Sequence, residues 1–287
     1  MGENIFSVGN YFLMIVFAFL TFFPFYYIFI YSISDPLIAQ KGLITLWPKG
    51  LTLVNYQSVF KVEYLANATM ITIARTVLGT LATLMGCSLF AYGLTKSILP
   101  FRRTMYRLLV ISMYISSGLI PMYLLITELQ LKNSFLVYII PSIIVPFFLI
   151  LIKTYIEQLP PALEEAAMVE GAGYFSIFFK IILPLCLPIL ATVAIFQAVN
   201  QWNSWMDNLF FATDSKLLTL QMLLLNMIKS HTVSATAAAA NQMSDIKVTS
   251  NSIRMTITIV ATLPVMLVYP FFQRFFIKGI MLGAVKG

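Results

Sequence analysis

The segment LPPALEEAAMVEGAGYFSIFFKIILPLCLP, Leu159 to Pro188, lies between two long apolar runs and decides the reading of the chain. Pro160 and Pro161 suit the start of a helix, where a missing N–H costs least. Ala162 to Glu170 follows with strong helix formers and carries Glu164, Glu165 and Glu170. Gly171 and Gly173 interrupt that run, and glycine turns a chain through positive φ without strain. Tyr174 to Ile182 is a second amphipathic stretch, and Pro184 marks the start of the next apolar run. The pattern predicts a helix–turn–helix lying at a membrane surface, acidic on one side and apolar on the other. Anionic lipid repels such acids, so a basic protein surface is their better neighbour.

Outward from this segment, composition names the solvent. Of 287 residues, 60% are hydrophobic and 10% charged, whereas a soluble domain carries about a quarter charged residues. The polar surface needed to cover so large a core is missing, so most of the chain is solvated by lipid. The net charge of +7 does not point to nucleic acid, because the basic residues fall in short clusters between apolar runs rather than along one face. Cys87 and Cys186 sit in apolar segments and predict no disulfide framework. His231 has no Cys or His at ligand spacing, so no metal site is expected. The first apolar run is too long for a signal-peptide core, lacks a basic flank and is followed by no A-x-A site.

Crossing about 30 Å of hydrocarbon takes about 20 apolar residues. Six segments qualify: about 11–33, 66–94, 107–127, 135–152, 184–203 and 253–273. They are continuously apolar, as helices are, rather than alternating as barrel strands do. Even parity puts both termini on one side. One set of connecting segments holds nine basic residues, Lys96, Arg102, Arg103, Arg107, Lys153, Lys180, Arg274, Lys278 and Lys286. The other holds seven, Lys41, Lys49, Lys61, Lys132, Lys216, Lys229 and Lys247. The nine cluster more tightly at span ends, so the positive-inside rule favours cytoplasmic termini. That leaves outside loops at about 34–65 and 204–252 and an inside loop at about 154–183.

Within the second span, Gly79, Thr83 and the pair Gly86–Cys87 form a small-residue face at helical spacing. Such a face serves close helix packing or, alternatively, lines a wide substrate path. Arg75 lies in the outer third of the same span. Snorkelling to the interface is its default reading, and contact with an acidic substrate is the other. Near the outer part of the fifth span, Gln197, Asn200, Gln201, Trp202 and Trp205 combine amides with flat aromatics, which suit hydroxyl-rich rings. Anchoring of the tryptophans at the membrane interface competes with that reading.

Seven positions of the central segment follow one pattern: E-A-A, three residues, G, nine residues, I-x-L-P. They are Glu165, Ala166, Ala167, Gly171, Ile181, Leu183 and Pro184. In this the segment resembles the EAA loop of ABC importer permeases. The pair Asn55–Tyr56, Asn67 before the second span and the tail GIMLGAVKG extend the resemblance to the maltose-type (MalG-like) permeases. The wording is most similar to the LplC/YtcP oligosaccharide permease subgroup. The resemblance implies an all-α membrane protein with six transmembrane helices, the type I ABC importer permease fold, and N- and C-termini cytoplasmic. It implies a MalF-like second permease, a dimer of ABC ATPase subunits inside, a solute-binding protein outside and a carbohydrate substrate. It places Glu164 and the seven matched residues against the ATPase, with Gly283, Lys286 and Gly287 of the tail as a further contact. It also sends part of Val233 to Asp245, with Thr236, Ala238, Asn241 and Gln242, into the binding protein. The alanines there are small enough for a narrow cleft, although alanine also favours a plain surface helix.

No G-x-x-x-x-G-K-[ST] occurs, so ATP and its Mg are expected on the partner and no cofactor on this chain. Two other function classes fit less well. An ion-driven secondary transporter usually shows acids near the midplane, whereas Glu128 and Asp207 fall at outer span ends. An intramembrane enzyme would need a His, Cys or acid cluster within the spans, and none is present in the sequence.

Overall fold

A computed structural model of the chain describes residues 2–61, 64–115, 117–238, 249 and 251–267. Every regular element among the described residues is helical. They group into two compact units, Met1–Leu65 with Leu223–Val265, and Ala66–Met222 with Met266–Gly287.

In the first unit, α1 (Gly2–Ser32) is apolar on all sides and leaves Phe12, Phe17 and Leu20 more than 60% exposed. Such a helix belongs in lipid. An aromatic ladder at four-residue spacing, Phe19, Phe23, Tyr27 and Tyr31, runs along it with ring centroids 6.0–6.4 Å apart. After α1 the chain is tied down by polar contacts. Asp35 caps α2 (Pro36–Gln40) by accepting from the N–H groups of Leu37 and Ile38. The fully buried Asn55, in α3 (Val54–Phe60), donates to the carbonyls of Ser32 and Ser34 at 2.8 and 3.1 Å.

The second unit is built on α4 (Leu65–Thr95), 31 residues long and apolar enough to cross a bilayer. Its small-residue face packs on irregular backbone, as the packing reading expects. Thr83 Oγ1 lies 2.6 Å from the Ser142 carbonyl oxygen, and Cys87 Sγ accepts from Val145 N–H at 3.3 Å. A Cβ on Gly86 would stand 2.8 Å from the Ile143 carbonyl oxygen. Only glycine lets the two backbones come this close.

Three of the expected spans are not single straight helices. The stretch 107–127 is α5 (Arg102–Ser112) and α6 (Leu119–Glu128), parted at Gly118, whose φ of +77° no ordinary helix allows. The stretch 135–152 is two 3₁₀ turns, Phe135–Tyr138 and Ile140–Ser142, bent by 46° from α7 (Pro146–Ile156). The extended Val145 before Pro146 makes that bend, since a residue before proline avoids the helical region. The inner segment begins with α8 (Ala162–Val169) and α9 (Tyr174–Ile177). It then continues through a π-helical turn (Phe178–Ile182) into α10 (Leu183–Leu185). Pro184 therefore sits within a continuing helical run rather than at the start of one. The π turn just ahead of it relieves the clash of its ring with the helix. The break comes at Cys186, with a 78° bend into α11 (Leu187–Asn203), because Pro188 cannot donate and would press on the carbonyl of Pro184.

The stretch 204–252, expected as an outside loop, holds α12 (Met206–Phe211) and α13 (Leu220–Ala238). A last helix, α14 (Asn251–Leu267), covers the described part of the sixth expected span.

Candidate functional site

The segment from α8 to α10 is held by a buried cluster that also takes in residues of α4, α7 and α11. Tyr92 and Leu94 of α4, Ile152 of α7, Ala167 of α8, Ile177 of α9 and Phe178 beyond it all belong to it. Only Ala167 of α8 is buried. Glu165, Ala166 and Met168 of that helix are exposed, Val169 is 89% exposed, and Glu170 just past its end is exposed as well. Gly171 sits at φ +84° and donates to the Met168 carbonyl, while Ala172 N–H reaches the Ala167 carbonyl at 2.9 Å. This closes α8 with a glycine in the left-handed region. Gly173, expected to share that task, lies at φ −77°. Of the matched pattern, Ile181 and Leu183 pack against the same cluster, and Pro184 is exposed. Glu164 does not face outward with Glu165, because its carboxylate is bonded to Lys96 Nζ.

Toward the N-terminal end of α4, Arg75 does not snorkel. It is 1% exposed and its guanidinium is fully enclosed. Nε and Nη2 donate to Gln201 Oε1 at 3.1 and 2.9 Å, Nη1 donates to the Ser204 carbonyl at 3.2 Å, and Nη2 also bonds the Asp207 carboxylate. The Tyr138 ring lies 4.4 Å beneath its Cζ, an attractive placing for a cation. Gln201 completes the knot by donating to the Tyr138 carbonyl at 3.1 Å and to Ser142 Oγ at 2.9 Å. Next to it, Gln197 donates to Thr83 Oγ1 at 3.0 Å. Snorkelling fails because Gln201, Asp207 and the Ser204 carbonyl offer partners inside the protein to four of the five guanidinium N–H groups.

These groups border a cavity of about 250 Å³, whose wall includes Arg75, Tyr138, Gln197, Asn200, Gln201 and Asp207. Four of the six residues expected on a substrate path thus meet at one cavity. Trp202 is buried elsewhere, and Trp205, 36% exposed, does not reach it. Asp207, Tyr138 and Ser142 were not anticipated. A lone Arg in a span is itself the signal for a carboxylate, and Asp207 is the acid beside the amides already singled out. In the loop expected to reach the binding protein, the backbone of Thr236 and Ala238 is helical. Asn241, Gln242, Gly283, Lys286 and Gly287 lie outside the described residues.

No protein-family model matches the chain. It is 33% identical to the polygalacturonan/rhamnogalacturonan transport system permease protein YtcP of Bacillus subtilis, over all of both chains. It is 35% identical to the protein LplC of the same organism, over 93% of this chain and 90% of LplC. Among solved structures it is similar to a chain of a bacterial ABC transporter involved in the import of the acidic polysaccharide alginate. That chain shows a TM-score of 0.86 and 27% identity, with 96% of this chain and 98% of the other covered. These similarities over 90% or more of each chain show that the chain belongs to the maltose-type ABC importer permeases, the family of YtcP and LplC.

Proposed function

We propose that this chain is one of two permease subunits of an ATP-driven importer that carries an oligosaccharide across the cell membrane. The observation that carries the proposal is similarity over the full length to a permease named for polygalacturonan/rhamnogalacturonan transport. On this reading the chain makes six crossings with both termini cytoplasmic and pairs with a MalF-like second permease. A solute-binding protein delivers the carbohydrate outside. A dimer of ABC ATPases, which holds the ATP and Mg, drives alternating access from inside. The chain itself performs no catalysis.

The ATPase can shift the permease between two states only through contacts that differ between them. The outward face of α8, with Glu165 and Ala166, and the turn at Gly171 supply those contacts, and Ile181, Leu183 and Pro184 carry the movement toward α11. Gly283, Lys286 and Gly287 add a second contact with the ATPase. The cavity walled by Gln197, Asn200 and Gln201 is this subunit's share of the sugar path. Thr236, Ala238, Asn241 and Gln242 reach the binding protein. If they enter its cleft, Ala238→Glu slows sugar release there; if they form a surface helix only, release is unchanged.

The test is uptake of labelled oligogalacturonides and neutral oligosaccharides into proteoliposomes holding the full assembly. ATP-dependent uptake that needs the binding protein is expected. Uptake driven by an ion gradient without ATP overturns the proposal in favour of a secondary transporter.

A further inference from the structure

We infer that Lys96 and Glu164 form a latch that sets the orientation of α8, so that Glu164 is a positioning residue and Glu165 the acid left to meet the ATPase. The inference rests on the reading of 154–183 as the docking segment. Lys96 stands just past the inner end of α4, and its Nζ is bonded to the Glu164 carboxylate. Both side chains are largely shielded, at 17% and 18% exposure. The same Nζ lies 4.2 Å over the ring of Tyr92, whose own ring packs 5.4 Å from that of Phe178. One ammonium therefore ties the end of α4 to α8 while resting on the aromatic pair that carries the segment after α8. Arg102 closes the same helix end by donating to the Thr95 carbonyl at 3.3 Å.

The latch matters because α8 has little else to hold it. Eight residues are too few for a helix to persist unsupported in water, and only Ala167 is buried. One buried methyl sets the inward face of the helix only coarsely. An ion pair one turn away from that methyl fixes the rotation. Neighbouring residues on a helix point about 100° apart, so anchoring Glu164 inward turns Glu165 outward. Glu165 is exposed and has no ion-pair partner among the described residues. Ion pairs open to water contribute little, whereas removal of one member of a shielded pair is costly.

The experiment is amide hydrogen exchange over residues 162–173 of the full chain in nanodiscs, paired with the affinity of the same preparation for its copurifying ATPase subunit. Glu164→Gln and Lys96→Met should each speed exchange across α8 by about tenfold, as expected for loss of a shielded ion pair. Both should weaken ATPase binding by a similar factor. The swap Lys96→Glu with Glu164→Lys keeps the pair, loses the cation over Tyr92, and should recover most of both effects. Glu165→Gln should weaken binding with exchange unchanged. Unchanged exchange in Glu164→Gln and Lys96→Met, or no recovery in the swap, overturns the latch. Faster exchange in those two, with ATPase binding unmoved by all four variants, upholds the latch and removes the docking reading instead.

Discussion

The buried guanidinium of Arg75 is bonded to the carboxylate of Asp207, 132 residues further along the chain. The contact fastens the N-terminal part of α4 to the first turn of α12, and it neutralises a charge that lipid would reject. Removing one member strands the other. Asp207→Asn should destabilise the chain by about 3 kcal/mol, the usual cost of an uncompensated buried charge. Arg75→Met should cost less, because the Asp207 side chain is 30% exposed and retains water. The double variant Arg75→Met/Asp207→Asn should be more stable than Asp207→Asn alone. Thermal unfolding in detergent measures all three. A double variant no better than Asp207→Asn would show that the charge pair is not what holds this region.

Glycines within α4 should differ sharply in tolerance. A Cβ on Gly86 would meet the Ile143 carbonyl oxygen at 2.8 Å, and backbone cannot step aside. A Cβ at Gly79 would meet Gln201 Nε2 at 2.5 Å, a side chain already tied to Tyr138 and Ser142. Gly93 has nothing within 4 Å. Gly86→Ala should therefore cost about 1–3 kcal/mol by overpacking, whereas Gly93→Ala should gain about 0.5–1 kcal/mol from helix propensity. Gly79→Ala should fall near Gly86→Ala and should also loosen Arg75. The same unfolding assay ranks them, and equal effects at Gly86 and Gly93 would contradict the packing.

The turn after α8 offers a paired test. Gly171 is at φ +84°, a conformation that costs an ordinary residue about 1–2 kcal/mol and a β-branched one more. Gly173 is at φ −77°, open to any residue, with nothing within 4 Å of a Cβ. Gly171→Val should leave membrane insertion intact and abolish substrate-stimulated ATP hydrolysis by the assembled transporter. Gly173→Ala should retain most of that stimulation. Stimulated hydrolysis in Gly171→Val at the normal rate would separate this turn from coupling.

Long apolar periods were legible because lipid imposes them residue by residue. The helix Leu65–Thr95 matches the run 66–94 within a residue at each end, and Gly2–Ser32 ends with the run 11–33 but begins nine residues before it. Breaks were not legible where the deciding residue lies elsewhere in the chain. The bend before Pro146 is tolerated only because Gly86 and Cys87, almost 60 residues earlier, approach and cover its carbonyls. The same reason hid the state of Arg75, since a span read alone offers a charge only lipid or its edge, while the fold brings it Asp207. In the inner segment, local signals sufficed for Gly171, whose task is set by its own φ. They did not separate Glu164 from Glu165, because that depends on Lys96.

Adjacent amides on α11 should divide cleanly between sugar contact and scaffold. Gln201 is 4% exposed, and its side chain is committed to Arg75, the Tyr138 carbonyl and Ser142. Asn200 is exposed at the same cavity wall. A free carboxamide can both donate and accept toward a sugar hydroxyl, whereas one already engaged has no capacity left to give. If the cavity is part of the sugar path, Asn200→Ala should raise the KM for uptake about fivefold or more, the loss of one hydrogen bond of roughly 1 kcal/mol, with stability unchanged. Gln201→Ala should instead lower the unfolding midpoint, because it leaves buried donors of Arg75 without an acceptor. Transport kinetics in proteoliposomes and unfolding in detergent, run on both variants, separate the two roles. Unaltered KM in Asn200→Ala, with the protein folded and assembled, would move the sugar path away from this cavity and onto the partner permease.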